Sequence, residues 1–209
     1  MLGLPASTDI NKQVPKKAIF AKFELKPAQR DHFDEDVAKL TLVNAISPTT
    51  IPALSKGEQI DCIYVMAVTL KKKEYDPKNI LLLSKLIPQK ILFALKYEDY
   101  VQLAINHTKL ICGDWQPEQD YSITLQGLNL DKVWESLVVS IGGITVEAGS
   151  TLEQQIQFDD ARAKVLKQIK QLEAKARSEK QPKKKLLLFE LIQQLKNEYD
   201  NDTKKTICG

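Results

Sequence analysis

Ile60-Asp61-Cys62-Ile63-Tyr64-Val65-Met66-Ala67-Val68-Thr69-Leu70 decides the fold. The run is β-branched and apolar at successive positions, so both of its alternating faces want cover. That is the signature of a central strand rather than an edge strand. Lys71-Lys72-Lys73 ends it in solvent. A strand buried on both faces requires neighbouring strands and helices in layers around it.

Working outward from it, Pro27 opens a helix running to about Lys39, with Ala28, Phe33, Val37 and Leu40 on one face. A strand follows from Leu40 to Ile46, then a loop over Ser47-Pro48-Thr49-Thr50-Ile51-Pro52. The opening segment is polar and turn-rich, with a short helix expected over 16–24. Downstream, Asp76 as N-cap and Pro77 at the first helical position start a helix to about Leu86, stopped by Pro88. Lys90–Tyr97 and Tyr100–Leu110 read as paired strands joined at Glu98-Asp99, and Asp120–Leu125 as a further strand. Asn129 or Asp131 caps a helix carrying Val133, Trp134, Leu137 and Val138, which Gly142-Gly143 terminates. The expected class is α+β: a mixed sheet with flanking helices over residues 1–143, a linker at 144–150, then a helical unit.

That second unit begins at Thr151. Phe158, Val165, Ile169, Leu172 and Ala176 recur at helical spacing, and after Pro182 so do Leu188, Ile192, Leu195 and Tyr199. Pro182 is tolerated in a connection or a first turn and costs about 3 kcal/mol inside a helix. The pattern therefore predicts an antiparallel, coiled-coil-like hairpin over 151–200, with Val165, Ile169, Leu172, Leu188, Ile192 and Leu195 as its seam. Residues 201–209 read as a flexible tail.

Charge singles out the same unit. Residues 162–185 hold ten Lys/Arg against Glu173 and Glu179, a local balance of +8 in a chain of net charge +3. Clustered cations of this kind suit an acidic partner or the phosphate backbone of nucleic acid. The candidate contacts are Arg162, Lys164, Lys167, Lys170, Lys175, Lys180, Lys183, Lys184 and Lys185. Between Phe158 and Phe189 no aromatic residue offers a stacking platform, which disfavours base reading on single strands. A solvated helix pair whose lysine stems cover apolar surface, and a protein-binding coiled coil, are the other readings of the same stretch.

Catalytic signatures are missing. There is no GxSxG, Walker A or GxGxxG, and neither His32 nor His107 has a partner at metal-ligand spacing. His32 sits among Asp31, Asp34, Glu35 and Asp36 and reads as a solvated helix face. Trp115 and Trp134 read as core or edge residues. A metal-dependent nuclease would need carboxylates clustered on adjacent strands near a lysine; Asp61 and Lys71 flank the central strand, but Val68-Thr69-Leu70 precedes that lysine. No cofactor, no metal and no catalytic residue is expected. The odd cysteines Cys62, Cys112 and Cys208 read as reduced thiols, with Cys62 in the core, and the first residues do not form a signal peptide, so a cytoplasmic setting with no membrane is expected.

Four segments carry a resemblance. They are Leu2-Gly3-Leu4-Pro5 through Val14-Pro15-Lys16-Lys17, Ile63 through Lys71, Ile87 through Leu95, and Ser178-Glu179-Lys180-Gln181-Pro182-Lys183-Lys184-Lys185. In this order they resemble the bacterial domain-of-unknown-function family 4391. Where relatives often read Val-Phe-Glu-Ile in the central strand, this chain has Ala67. The resemblance implies genes beside helicases and DNA methyltransferases in restriction-like or anti-phage defence clusters, and it supplies no catalytic residues. The expected function is a non-enzymatic accessory subunit of a DNA-acting complex, held by such a helicase or methyltransferase, with the basic hairpin contacting either nucleic acid, through its backbone, or that partner. A divergent nuclease and a structural dimeriser are the alternatives.

Overall fold

The structure, a computed structural model, describes residues 3–147 and 149–207, with the backbone alone at 198, 200 and 201–207. Its contacts divide the chain into an N-terminal unit, residues 1–145, and a C-terminal unit, residues 146–209.

The N-terminal unit is built on a seven-stranded mixed sheet. In chain order its elements are β1 (Asp9–Gln13), α1 (Lys16–Lys22), α2 (Pro27–Asp36), β2 (Val37–Ile46), β3 (Ile63–Leu70), α3 (Pro77–Leu83), β4 (Lys90–Tyr97), β5 (Tyr100–Asn106), β6 (Leu110–Cys112), β7 (Gln116–Pro117) and α4 (Leu130–Gly142). The strands lie side by side in sequence order from β1 to β6, and β7 pairs with β5. β3 and β4 are parallel, because α3 carries the chain back between them; their neighbours run antiparallel. β3 is central, and Ile63, Val65, Met66 and Val68 are all fully buried.

The two faces are covered by different helices. Phe33, Leu40, Met66, Val68, Ile80, Leu83, Phe93, Leu95 and Ala104 form one apolar cluster, together with Ile19. That places α1, α2 and α3 on one side. Ala104 belongs to this cluster, so Leu103 points to the opposite face. There it shares a cleft with Leu137 and Ile141 of α4.

Several boundaries differ from those expected. The Pro27 helix ends at Asp36 rather than near Lys39. Val37 and Leu40 fit a helical face and a strand equally well, and pairing of Val37 with Leu70 decides for the strand. The Asp76-capped helix stops at Leu83, ahead of Pro88. The strand expected to Leu110 turns after Asn106 and returns as β6. Residues 120–125 form no strand; Glu118–Asp120 is a short 3-10 turn and the chain then runs irregularly to α4. β1 was not expected, because all five of its residues are exposed and show no apolar alternation. Asn44 holds it instead, donating to Thr8 Oγ1 and to Asp9 Oδ1, both at 2.8 Å.

Both capping candidates at α4 act, in different ways. Asn129 is the N-cap, its side chain accepting from the Lys132 N–H, and Gly143 ends the helix in the left-handed region at φ 58°. The Asp131 carboxylate turns away to accept from the N–H groups of Glu58 at 2.7 Å and Ile60 at 3.0 Å. It thereby pins the long β2–β3 loop. Asp131→Ala is expected to cost about 1–2 kcal/mol and to raise amide hydrogen exchange at Glu58 and Ile60 first. Unchanged exchange there would show that the carboxylate does not hold the loop.

The C-terminal unit is a pair of long helices, α5 (Leu152–Ser178) and α6 (Pro182–Ile207), packed on each other. α5 opens with a capping box, Thr151 accepting from the Gln154 N–H while Gln154 accepts from Thr151. Pro182 takes the first position of α6, where it forfeits no internal hydrogen bond. Ile169, Ala176 and Ile192 are buried in the seam, with Val165, Leu172, Leu188 and Leu195 packed around them. Of the expected tail, the backbone of 201–207 continues α6; Cys208 and Gly209 lie outside the described residues.

Candidate functional site

The hairpin distributes its charges unevenly along its length. α5 begins with Glu153, Asp159 and Asp160 and becomes basic towards the turn, and α6 starts with Lys183-Lys184-Lys185. Because the helices run antiparallel, these two basic segments meet at the turn end. From Lys175 to Lys185 there are six cations and one acid. Lys175 and Arg177 sit in the last turn of α5, where the helix dipole favours them. Lys183, Lys184 and Lys185 sit at the start of α6, where it opposes them. Helix stability alone therefore accounts for the first group and not for the second.

At 100° per residue, Lys164, Lys167, Lys170 and Lys175 fall within an arc of roughly 140° on the side of α5 away from the seam. All four are exposed, as are Lys180, Lys183 and Lys184, while Lys185 is half-buried. Arg162 differs from them. Its guanidinium lies 4.8 Å from the centre of the Tyr199 ring and 5.5 Å from that of Phe158, and it donates to the Tyr199 hydroxyl at 2.9 Å. It is thus engaged within the hairpin. Glu173 pairs with Lys196 across the two helices at 2.7 Å, which holds its carboxyl below the usual range.

A feature that was not singled out from sequence stands beside the lysines. Leu186, Leu187, Phe189 and Leu191 are 60%, 57%, 51% and 41% exposed. The signal was present in the sequence. Leu186-Leu187-Leu188-Phe189 is a run of four apolar residues, and a helix can turn only about one residue in three or four into a single seam. Leu188 takes the seam. Leu187 and Phe189 then lie about 100° to either side of it, and Leu186 roughly 160° away. A helix apolar on all sides is normally a covered one. Leu187, Leu188 and Leu191 line a groove of about 530 Å³, edged by Lys175 and Lys184.

Asp61, the carboxylate of the nuclease alternative, is exposed and paired with Lys56 at 2.8 Å. Among the described residues no three His, Cys, Asp or Glu side chains gather to hold a metal ion. The His32 Nε2–H donates to Asp76 Oδ2 at 3.0 Å, a contact that raises the His32 pKa. The Trp134 Nε1–H donates to His107 Nδ1 at 3.1 Å, and Trp134 is core. Lys73 lies over the rings of both Trp115 and Tyr100. Cys62 is half-buried rather than core, and burial pushes its thiol pKa up. Among the described residues no helix is long and apolar enough to cross a membrane.

A family model described as "Domain of unknown function (DUF4391)" matches residues 2–198. The chain belongs to this family. The match takes in both units, so the hairpin is part of what the family model describes and not an addition to it. No curated protein and no solved structure matches the chain.

Proposed function

We propose that this protein is a non-enzymatic accessory subunit of a bacterial DNA-acting complex, restriction-like or anti-phage defence in type, working in the cytoplasm. Its hairpin is the binding element. It docks a protein partner such as a helicase or DNA methyltransferase, and the outer lysines of α5 and α6 lie against the nucleic-acid backbone. One observation carries this reading: exposed leucines and a segment of six cations against one acid share the turn end of the hairpin. Lysines alone would be a solvated face, and leucines alone a packing surface. Together they suit an apolar contact rimmed by charge, the general anatomy of protein interfaces.

The experiment replaces Lys164, Lys167, Lys170, Lys183, Lys184 and Lys185 by glutamine in the full chain. Duplex and single-strand binding is then measured across salt, alongside assembly with the partner that co-purifies from the native host. For each lysine that neutralises a phosphate, the slope of log K against log salt is expected to fall by about 0.9 on duplex DNA. A variant that keeps both its DNA affinity and its partner would remove the hairpin from the function.

A further inference from the structure

We infer that the groove between the turn-proximal parts of α5 and α6 is a docking site for an acidic amphipathic helix of the partner protein. This rests on the reading of the hairpin as the binding element, and it goes further by naming the occupant. The groove is built by two helices whose own seam is filled by Ile169, Ala176 and Ile192 with Leu188 packed on them, so Leu187 and Leu191 on its floor are surplus to the hairpin. Leu187 and Leu191 are one helical turn apart, about 6 Å along α6. That is the spacing at which a third helix inserts residues three and four apart.

Charge selects among the occupants. Lys175 and Lys184 edge the groove on opposite helices, within the segment of six cations and one acid. The acid, Glu179, is tied to the turn, accepting from the Gln181 N–H at 2.8 Å. An occupant with glutamates or aspartates flanking its leucines meets a lysine on each side. It also relieves the three lysines that oppose the α6 dipole. A second copy of this chain is a poorer fit. A two-fold interface sets the same patch against itself, so the lysines edging one copy's groove would face the lysines edging the other's. Nucleic acid fits the lysines, but its phosphates leave Leu187 and Leu191 in water. Both remain outcomes of the test.

The probe is a fluorescently labelled helical peptide with leucines at alternating three- and four-residue spacing and glutamates on either side of them. A counterpart keeps the leucines and carries lysines instead of glutamates. Anisotropy titrations use the full-length protein, and circular dichroism confirms that each variant keeps its helix content. The glutamate peptide is expected to bind and the lysine peptide not to. Leu187→Gln with Leu191→Gln is expected to weaken binding by about tenfold or more, as for apolar anchors at the centre of an interface. Lys175→Gln with Lys184→Gln is expected to weaken it less and to flatten its salt dependence. Absent binding, equal binding of both peptides, or binding indifferent to the leucine pair overturns the inference. So does a dimer in sedimentation that the leucine pair makes monomeric, since a second copy then fills the groove. Those failures leave the salt-dependent DNA result untouched, so loss of this site and loss of the wider reading can be told apart.

Discussion

Asp36→Ala is expected to destabilise the N-terminal unit by about 2–4 kcal/mol. Asp36 is 1% exposed, and its carboxylate accepts from the Asp76 N–H at 2.7 Å, from Asn79 Nδ2 at 2.8 Å and from Lys72 Nζ at 2.9 Å. One side chain at the junction of α2 and β2 therefore holds the end of β3 and the first turn of α3. Alanine would leave the buried Asn79 amide and the half-buried Asp76 N–H without their acceptor and would free Lys72. Burial pushes the carboxyl pKa up, but the Asp76 N–H, Lys72 and Asn79 together outweigh it, and the net shift is downward. A pKa lower in the folded than in the unfolded protein contributes stability above the unfolded value, near 3.9. That contribution fades as pH falls from there through the folded value. Urea midpoints read by Trp115 and Trp134 fluorescence should thus show wild type and Asp36→Asn converging below about pH 4. If Asp36→Ala unfolds at the wild-type midpoint at neutral pH, the network does not hold this junction.

The second large effect lies in the hairpin. Ile192 is 4% exposed and sits in a seam where, among the described residues, Ile169 and Ala176 are the other buried members. Ile192→Asp removes its apolar contact, worth about 2–5 kcal/mol when truncated, and places a carboxylate where no partner is available. So small a core cannot absorb both, and most helical stability in proteins comes from the packing of an apolar face. Circular dichroism at 222 nm is expected to fall steeply. The neighbouring Leu191, exposed and turned into the groove, gives the contrast. Leu191→Asp should stay within about 0.5 kcal/mol of wild type while abolishing docking of the acidic peptide. Equal loss of helix in both variants would mean that the seam is not where Ile192 and Leu191 place it.

Much of the fold is legible in residue patterns because apolar periodicity reports which faces are covered. β3 announces itself by alternation without a polar face, and α4 by its cap and its glycines. The seam of the hairpin follows from the spacing of Val165, Ile169, Leu172, Leu188, Ile192 and Leu195. The pattern fails where an element is held by something else. β1 has a single, exposed apolar residue, Ile10, and no alternation, and it is tied by hydrogen bonds from Asn44, a residue about 35 positions away. The end of α2 was misplaced because Val37 and Leu40 satisfy both periods, and only pairing with β3 separates them. The candidate site was half legible. Its lysines show in composition, whereas its leucines were absorbed into the helical repeat until the seam had used up Leu188 and Ile192.

Taken by itself, the sequence determined the class of the chain: a sheet-based unit followed by a basic pair of helices. Burial periodicity and charge are local properties, written in neighbouring residues. The tertiary structure decided what no local pattern holds. It paired β3 with β4 in parallel, joined Asp36 to Asn79 and Asp131 to Glu58 across long stretches of chain, and turned Leu187 and Leu191 outward beside Lys175. Which side chain faces a neighbour and which is left for a partner depends on how two helices meet, and that is settled only when both are in place.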